Sequence, residues 1–377
     1  MSGRKLAYTY LAGLVFVAIF ASLLANDRPL AIYHGGTMEF PALQGRGEHV
    51  EWDKVDADWV VWPPIPFRAS SPNLEERAYR PPLSRNQQTG KIHLLGTDRT
   101  GRDTAAGLIS GSRVAVLVGL GSLLISLLIG LPLGAAAGYF GNDGIRLPRY
   151  RRLSIILGTC VGGVYAFACL RPLAEGVAQA ALLTVLSIVI CFSLCHLLLS
   201  LLSRYVGWLG QSTDCPIDRM VVFLLEMTVS IPGLVVLIAL LAYSERSSLF
   251  SVVLFIGLLG WTPVARFLRA ELMRVRELPY IAAARMGGVG EWRLLYRHAL
   301  PNAIGPVVVV AAFMVGTSIL AESMLSFLGF GLAAGQVTWG SILDQSTANT
   351  GAWWLAVFPG LLLTLTILAC NSLRKTS

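Results

Sequence analysis

Charge is what this sequence lacks most. Of its 377 residues, only 14% are Asp, Glu, Lys or Arg, whereas 54% are hydrophobic. A soluble globular protein carries roughly 25% charged residues. Apolar side chains this abundant cannot all be covered in water, and a lipid bilayer is the solvent that accommodates the excess. The composition therefore predicts an integral membrane protein.

The motifs of common catalytic sites are also absent. The sequence has no G-x-x-x-x-G-K-[ST] loop for nucleotide phosphates, no H-E-x-x-H zinc helix and no G-x-S-x-G nucleophile turn. Cys191, Cys195 and His196 are close enough on a helix to suggest a metal site, but closed sites need about four ligands and no other lies nearby. An intramembrane enzyme would have only His196 as a candidate. We expect no catalytic residue, no metal and no cofactor.

Long apolar runs are plentiful. Spanning a bilayer takes about 20 apolar residues in a helix, and helices are expected because lipid offers backbone amides no partner. The first run exceeds the roughly 7–15 residues of a signal core, which favours a retained anchor. We therefore expect an all-α polytopic membrane protein with about eight transmembrane helices, at 7–25, 114–140, 153–170, 177–202, 219–243, 248–268, 303–321 and 352–371.

Basic residues fall mainly on one side of these spans. Arg4 and Lys5 precede the first span. Since Lys and Arg collect in cytoplasmic loops, both termini are predicted to be cytoplasmic. This asymmetry accounts for the net charge of +8, so nucleic acid is not an expected partner. The basic stretches on the same side are 146–152, 204–219, 266–297 and 374–375.

Residues 26–112 differ in composition from the rest of the chain. They are polar and proline-rich, and the topology places them outside the cytoplasm. Trp52, Trp59 and Trp62 favour either a small ordered lobe or an extension along the membrane surface. Tryptophan anchors side chains at the membrane interface, which explains these residues at least as well as substrate contact does.

The cytoplasmic segment from Tyr280 to Asn302 has the features of a helical hairpin. Pro279 can open a helix, because its missing N–H would be unpaired there anyway. Residues 282–284 are alanines, and Gly287 and Gly288 can end the helix through a left-handed residue. A second helix follows, in which we expect one shared face and an end at Pro301. The residues of that face are Trp292, Leu295, Tyr296 and Ala299.

Two interpretations of this segment remain open on physical grounds. A helix lined with alanines is poor at forming its own core, but small residues allow close approach inside another protein's groove. A helix resting on lipid headgroups explains the same composition.

The same segment resembles the signature cytoplasmic loop of ABC importer permeases. The loop's alanine pair is matched by Ala283 and Ala284, its glycine by Gly288, and its H-x-L-P-N ending by 298–302. The position usually held by Glu is Ala282. The resemblance implies that this loop grips a separate ATPase, through the residues Ala282, Ala283, Ala284, Arg285, Gly288, His298 and Pro301.

Further ordered matches connect the chain to the dipeptide and oligopeptide importer permeases. The block 93–103 resembles the family's H-x-L-G-T-D-x-x-G-R-D motif. Thr97 and Asp98 are also good helix N-caps, so a structural role is a simpler interpretation than direct substrate contact. The stretch 59–65 resembles permeases of microcin C–type importers. Other matches are Ser112-Arg113, Gly138 to Gly141, Asp218-Arg219, 230–232, 326–331, 339–340 and 354–360.

The family pattern also divides the chain. Residues 142–217, with two spans, are an insertion into a six-span core, and we have no sequence-based function for them. The expected regions are 1–25 as anchor, 26–112 as extracytoplasmic region, 113–141 as core span, 142–217 as insertion, and 218–377 as core permease with a coupling loop at 269–302.

The resemblance implies a transport role for the chain. Two ATP-binding subunits, a second homologous permease, a peptide-binding protein outside the cell and membrane lipid are the implied partners in the bacterial inner membrane. Glu226 and Glu322 lie in spans and are candidates to line the path, because carboxylates inside a membrane are often functional. The alternative is an ion-gradient-driven secondary transporter, which would need no ATPase and often shows internal repeats.

Overall fold

The computed structural model describes residues 2–34, 37–44, 58–70, 78–86, 89–144, 146–166, 168, 177–243, 248–332 and 336–373. The chain divides into two compact units. Unit 1 comprises 1–129, 231–261 and 305–377, and unit 2 comprises 130–230 and 262–304.

Helices dominate both units. They are α1 (Ser2–Ile19), α2 (Ala21–Leu24), α3 (Pro41–Gln44), α4 (Thr104–Ala135), α5 (Arg149–Tyr165), α6 (Val177–Leu202), α7 (Gly207–Gly210), α8 (Ile217–Ser230), α9 (Gly233–Tyr243), α10 (Leu249–Val275), α11 (Pro279–Met286), α12 (Glu291–Leu294), α13 (Leu300–Ala303), α14 (Gly305–Phe327), α15 (Trp339–Ala348) and α16 (Trp354–Leu373). Two π-helical turns, Ala136–Phe140 and Leu295–Ala299, continue α4 and α12.

Among the described residues, seven short strands accompany the helices. They are β1 (Ala31–His34), β2 (Thr37–Glu39), β3 (Trp59–Val61), β4 (Ser84–Arg85), β5 (Ile92–His93), β6 (Arg146–Pro148) and β7 (Ser212–Asp214). The mostly helical class expected from the sequence is confirmed, with these strands as an addition.

The expected count of eight spans is not confirmed. Among the described residues, five helices are long and apolar enough to cross a membrane, at 104–140, 182–202, 249–275, 305–327 and 354–373. The span expected at 219–243 is instead two helices, α8 and α9, which qualify only as a pair and raise the count to six. Pro232 lies at the break, where its missing N–H cannot continue the helical ladder. The apolar part of α1, Lys5–Ile19, is too short to qualify.

The core of unit 1 lies where α4, α14, α15 and α16 meet. Trp339 and Trp354 are buried there. The indole N–H of Trp339 donates to the Leu108 carbonyl at 2.9 Å, and that of Trp354 donates to the Thr97 carbonyl at 3.1 Å. A buried indole needs such an acceptor, so these bonds fix the start of α4 against α15 and α16.

The polar region forms a small lobe in unit 1. Its sheet has the order β2-β1-β3 with antiparallel pairing, and Tyr33 stacks on Trp59 across it. Trp62 lies under the ammonium group of Lys91, 3.5 Å from the ring centroid. Of the two sequence-based interpretations, the strands among the described residues favour the ordered lobe. The extracytoplasmic position of this region stays a prediction, and Trp52 lies outside the described residues.

The block 93–103 folds into the turn that starts α4. The Oδ1 atom of Asp103 accepts the backbone N–H of Ala106 at 2.7 Å, so Asp103 is the N-cap of α4. Its Oδ2 atom lies 2.8 Å from Nδ1 of the buried His93. Asp98 accepts two backbone N–H groups of the turn itself. The expected structural role is thus correct, but the cap is Asp103 rather than Thr97 or Asp98.

Unit 2 is assembled through close helix approaches at glycines four residues apart. A Cβ at Gly158 or Gly162 of α5 would lie 2.5–2.6 Å from backbone atoms of α6. A Cβ at Gly134 or Gly138 would lie 2.6–2.7 Å from backbone atoms of α10. Small residues at this spacing let membrane helices pack backbone to backbone. Residues 142–217, predicted to be an insertion, therefore contain a tightly packed helical hairpin of α5 and α6.

Candidate functional site

The first half of the candidate site, α11, has well-formed ends. Pro279 occupies its first turn. At its other end Gly288 has φ +78° and donates to the Arg285 carbonyl, while the next N–H, of Val289, reaches the Ala284 carbonyl at 3.2 Å. These two bonds form a Schellman motif, which needs a left-handed residue at the position of Gly288. Both ends that the sequence predicts for this helix are confirmed.

Exposure divides α11 into an anchored side and an open side. Ile281 is fully buried and holds the helix to unit 2. Ala282, Ala283, Arg285 and Gly288 are exposed, as is Met286, whose exposed fraction is 84%; Ala284 is half-buried. The open side therefore presents small residues and one flexible apolar side chain.

The second half of the candidate site, from α12 to α13, does not have the single shared face that the sequence predicts. Leu295 and Ala299 are buried, whereas Trp292 and Tyr296 are exposed and stack on each other with ring centroids 6.1 Å apart. The π-helical turn 295–299 inserts an extra residue, so the 3.6-residue periodicity does not hold through it. The four residues therefore occupy two faces.

Pro301 does not end this helix, contrary to the prediction. The chain continues from the π-helical turn into α13, where Pro301 occupies the first turn and needs no N–H partner. His298 is half-buried and its carbonyl accepts the amide of Asn302 at 2.6 Å. The same amide donates to the Tyr280 hydroxyl at 3.1 Å, so the two ends of the segment are joined.

A network of three side chains connects the segment to the end of α4. The buried Tyr139 donates its hydroxyl to Oε2 of Glu291 at 2.7 Å. Arg285 donates its Nε to Oε1 of the same carboxylate at 2.7 Å and its Nη2 to Oε2 at 3.2 Å. We call these three residues the Glu291 bracket. Through it, α11 and α12 are tied to each other and to residues 136–140.

The bracket is also electrostatically matched. Hydrogen bonding from Arg285 lowers the pKa of the Glu291 carboxyl below its usual value, and the carboxylate in turn raises the pKa of Arg285. Both shifts favour the charged forms, so the ion pair is present at neutral pH.

Further contacts brace the same region of unit 2. Arg276 donates to the carbonyls of Gly138 and Tyr139, and Phe140 meets Trp292 edge to face at 5.1 Å. Asp218 and Arg269 form a bidentate ion pair between α8 and α10. The family-like matches at 138–141 and 218–219 thus belong to the same unit as residues 280–302 and are connected by these contacts.

The two candidate path residues have opposite environments. Glu226 is exposed on α8. Glu322 is 2% exposed, and its carboxylate accepts the hydroxyl of Ser326 at 2.7 Å and that of Ser323 at 3.3 Å. The carboxylate of Glu322 is therefore enclosed within this chain, and its role in lining a path stays a prediction. Within the described ranges, no group of three His, Cys, Asp or Glu side chains could hold a metal ion.

Comparison with known proteins shows a family resemblance that covers this segment. Residues 201–375 match the family described as the binding-protein-dependent transport system inner membrane component, a range that contains residues 279–303. The C-terminal part of the chain is thus similar to this permease family. Proteins similar to this chain are permease components of ABC transporters rather than enzymes, and ATP hydrolysis in such transporters takes place in partner subunits.

Individual relatives extend the match toward the N-terminus. The peptidoglycan transport system permease protein YejE of Agrobacterium fabrum is 26% identical over 91% of this chain and 80% of its own length. The inner membrane ABC transporter permease protein YejE of Escherichia coli is 26% identical over 91% and 84%. A putative peptide transport system permease of Brucella suis is 29% identical over 76% and 72%. None of these matches favours a secondary transporter.

The bracket was not found from the sequence. Tyr139 was noted only as part of a family-like match, and Glu291 was not singled out at all. A signal was present, since Glu291 follows the glycine turn directly and is acidic in the first turn of a helix. Its partner Tyr139 is 152 residues away in the sequence, so no local pattern could connect them.

Proposed function

We propose that this permease imports peptides, with its cytoplasmic loop seated in the groove of an ATP-binding subunit. The proposed assembly contains two ATP-binding subunits, a second homologous permease and an extracytoplasmic peptide-binding protein. Both termini and the loop 280–302 face the cytoplasm, and the lobe formed within 26–112 faces outward. We take peptides as the substrate class from the names of several relatives, which are permeases of peptide, glutathione or peptidoglycan transport systems.

The observation that carries the docking role is the open side of α11. Ala282 and Ala283 leave room for another backbone to approach, and the exposed Met286 can adapt to an irregular partner surface. Because the other side is anchored by Ile281 and by the Glu291 bracket, a force on α11 would reach α4 instead of being lost in a loose loop.

Coupling then follows from the bracing of unit 2. Closure of the ATPases on ATP would move α11, and the Glu291 bracket would pass that displacement to α4. The Asp218–Arg269 pair would hold α8 and α10 together during the movement. Such coupling is a free energy shared between the nucleotide sites and the transport path.

The test introduces bulk on the open side of α11. The chain is co-expressed with candidate ATP-binding subunits and a candidate second permease, and Ala283→Trp is compared with Ala348→Trp. Both alanines are exposed and helical, but Ala348 belongs to α15 of unit 1. We expect Ala283→Trp to lose the ATP-binding subunits on purification while Ala348→Trp retains them. Normal retention by both variants would refute the docking role.

Gly288→Trp is a less discriminating variant. At φ +78° any side chain strains the backbone, by about 1–2 kcal/mol, so a loss of binding would have two explanations.

A second experiment tests the substrate class and the energy source. Proteoliposomes holding the assembled complex are given a labelled oligopeptide on the side of the lobe, with ATP inside. We expect uptake that requires ATP and continues after ionophores collapse all ion gradients. Uptake that follows the gradient instead would support the secondary transporter.

A further inference from the structure

A groove in unit 1 carries three arginines and no acidic residue. It has a volume of about 640 Å³ and lies where the end of α2, the lobe, the start of α4, the start of α10 and residues 336–337 meet. Arg28, Arg68 and Arg113 line it. Among the residues that the structure describes, none of the three side chains has a hydrogen bond or an ion pair.

Three unpaired guanidinium groups in one groove repel one another, and an anion in the groove would relieve that repulsion. Arginine binds phosphate oxygens through two parallel N–H groups, which makes it well suited to phosphodiester recognition. Polar neighbours that could bind other headgroup atoms are Ser22, Asn26, Ser70, Ser110 and Gln336.

Part of the groove lining is apolar and belongs to α4 and α10. Val114, Leu117 and Leu249 line it, and Leu117 is the first of four exposed leucines at spacings of three and four residues along the helix. This stripe consists of Leu117, Leu120, Leu124 and Leu128. A ligand that fits both parts has an anionic head and a long apolar tail.

The position of the groove agrees with such a ligand. It lies between residues of the lobe and the first turns of α4 and α10. In the proposed orientation the groove is on the side of the outer leaflet. Short loops on that side usually carry few arginines, so a group of three is unusual there. Basic pockets between membrane helices bind anionic lipid headgroups on the cytoplasmic side, and the same pairing of arginine with phosphate would apply in the outer leaflet.

We infer that this groove binds one anionic phospholipid, with the phosphate among Arg28, Arg68 and Arg113 and an acyl chain along the leucine stripe of α4. The bound lipid would hold the lobe against the helices of unit 1. The inference is independent of the peptide substrate and depends on the proposed orientation only for the choice of leaflet.

Native mass spectrometry and thermal unfolding of the delipidated, full-length protein test this inference. Phosphatidylglycerol is compared with phosphatidylcholine, and the wild type with the combined variant Arg28→Gln, Arg68→Gln, Arg113→Gln. Arg99→Gln is the control, because Arg99 is also exposed in the same unit but does not line the groove. We expect phosphatidylglycerol to bind at least ten-fold more weakly to the combined variant and unchanged to the control. If the combined variant does not fold, Arg113→Gln alone should show a smaller loss.

Several results would overturn the inference. Equal binding of phosphatidylglycerol to the wild type and the combined variant would show that the arginines hold no lipid. Binding of phosphatidylcholine as tight as that of phosphatidylglycerol would remove the role of net charge. Displacement of the lipid by inorganic phosphate would point to a soluble anion. Displacement by an oligopeptide with a free C-terminus, but not by its amide, would assign the groove to the transported substrate.

Discussion

The substitution Glu291→Gln tests whether the Glu291 bracket holds the coupling segment to α4. The variant keeps the size of the side chain and an acceptor for Tyr139, but it removes the charge that pairs with Arg285. The ion pair is about half exposed, so its loss costs only about 0.2–1 kcal/mol. The bond from the buried Tyr139 loses its charged acceptor, which adds roughly 1 kcal/mol.

The sum is about 1–2 kcal/mol of local stability. Amide hydrogen exchange in α11 and α12, read by mass spectrometry, should therefore accelerate by a factor of about 5–30, because exchange there follows local opening. Tyr139→Phe should produce part of the same effect. Since the two residues are in contact, the double variant should show less than the sum of the single effects.

The difference in amide exchange between the wild type and Glu291→Gln should depend on pH with a definite sign. Arg285 lowers the pKa of Glu291 in the folded segment, so the stabilisation is present above the ordinary carboxyl pKa and is lost as pH falls through the lowered value. The difference between wild type and Glu291→Gln should therefore be full at pH 7 and should vanish once the pH is well below about 4.

Glu277→Gln is the matched control. Glu277 also pairs with an arginine, Arg276, but the two are adjacent in sequence and join no separate elements. We expect unchanged exchange in α11 and α12 for this variant. The bracket would be refuted if Glu291→Gln exchanged like the wild type, or if Glu277→Gln opened the segment equally.

Three further predictions concern the framework around the site. Gly138→Val should destabilise the protein by about 1–3 kcal/mol, because its Cβ would lie 2.6 Å from a carbonyl of α10; thermal unfolding in detergent should show a lower Tm. Gly162→Ile should separate α5 from α6, so a disulfide engineered between these helices should form more slowly than in the parent protein. Asp103→Ala should lower the free energy of unfolding by about 1–3 kcal/mol, because the α4 cap and the partner of His93 are both lost. Limited proteolysis of the lobe should then be faster than for the exposed control Asp143→Ala.

Much of the candidate site was predictable because it is local. The ends of α11 follow from Pro279 and Gly288, whose backbone restrictions act within a few residues. The expected single face of the second helix was wrong because a π-helical turn interrupts the regular period. Pro301 was read as a stop, although a helix can restart at a proline after such a turn.

The spans were predictable to a similar extent. Hydropathy located the apolar segments, since lipid selects for side-chain composition whatever the packing. It missed the break at Pro232, because the apolar run continues through it. It also missed the glycine contacts of α4 and α5, since a glycine in an apolar run does not reveal whether another backbone lies against it.

The amino-acid sequence by itself predicted a membrane protein that resembles ABC importer permeases, and it located both ends of α11, the helix proposed to dock on an ATP-binding subunit. Composition, short-range periodicity and residue-specific backbone limits are properties of neighbouring residues, so they can be read without a fold. Only the tertiary structure decided which side of α11 is open, that Tyr139, Arg285 and Glu291 form one bracket, and that three distant arginines share a groove. Those arrangements depend on contacts between residues far apart in the chain, and packing alone selects them.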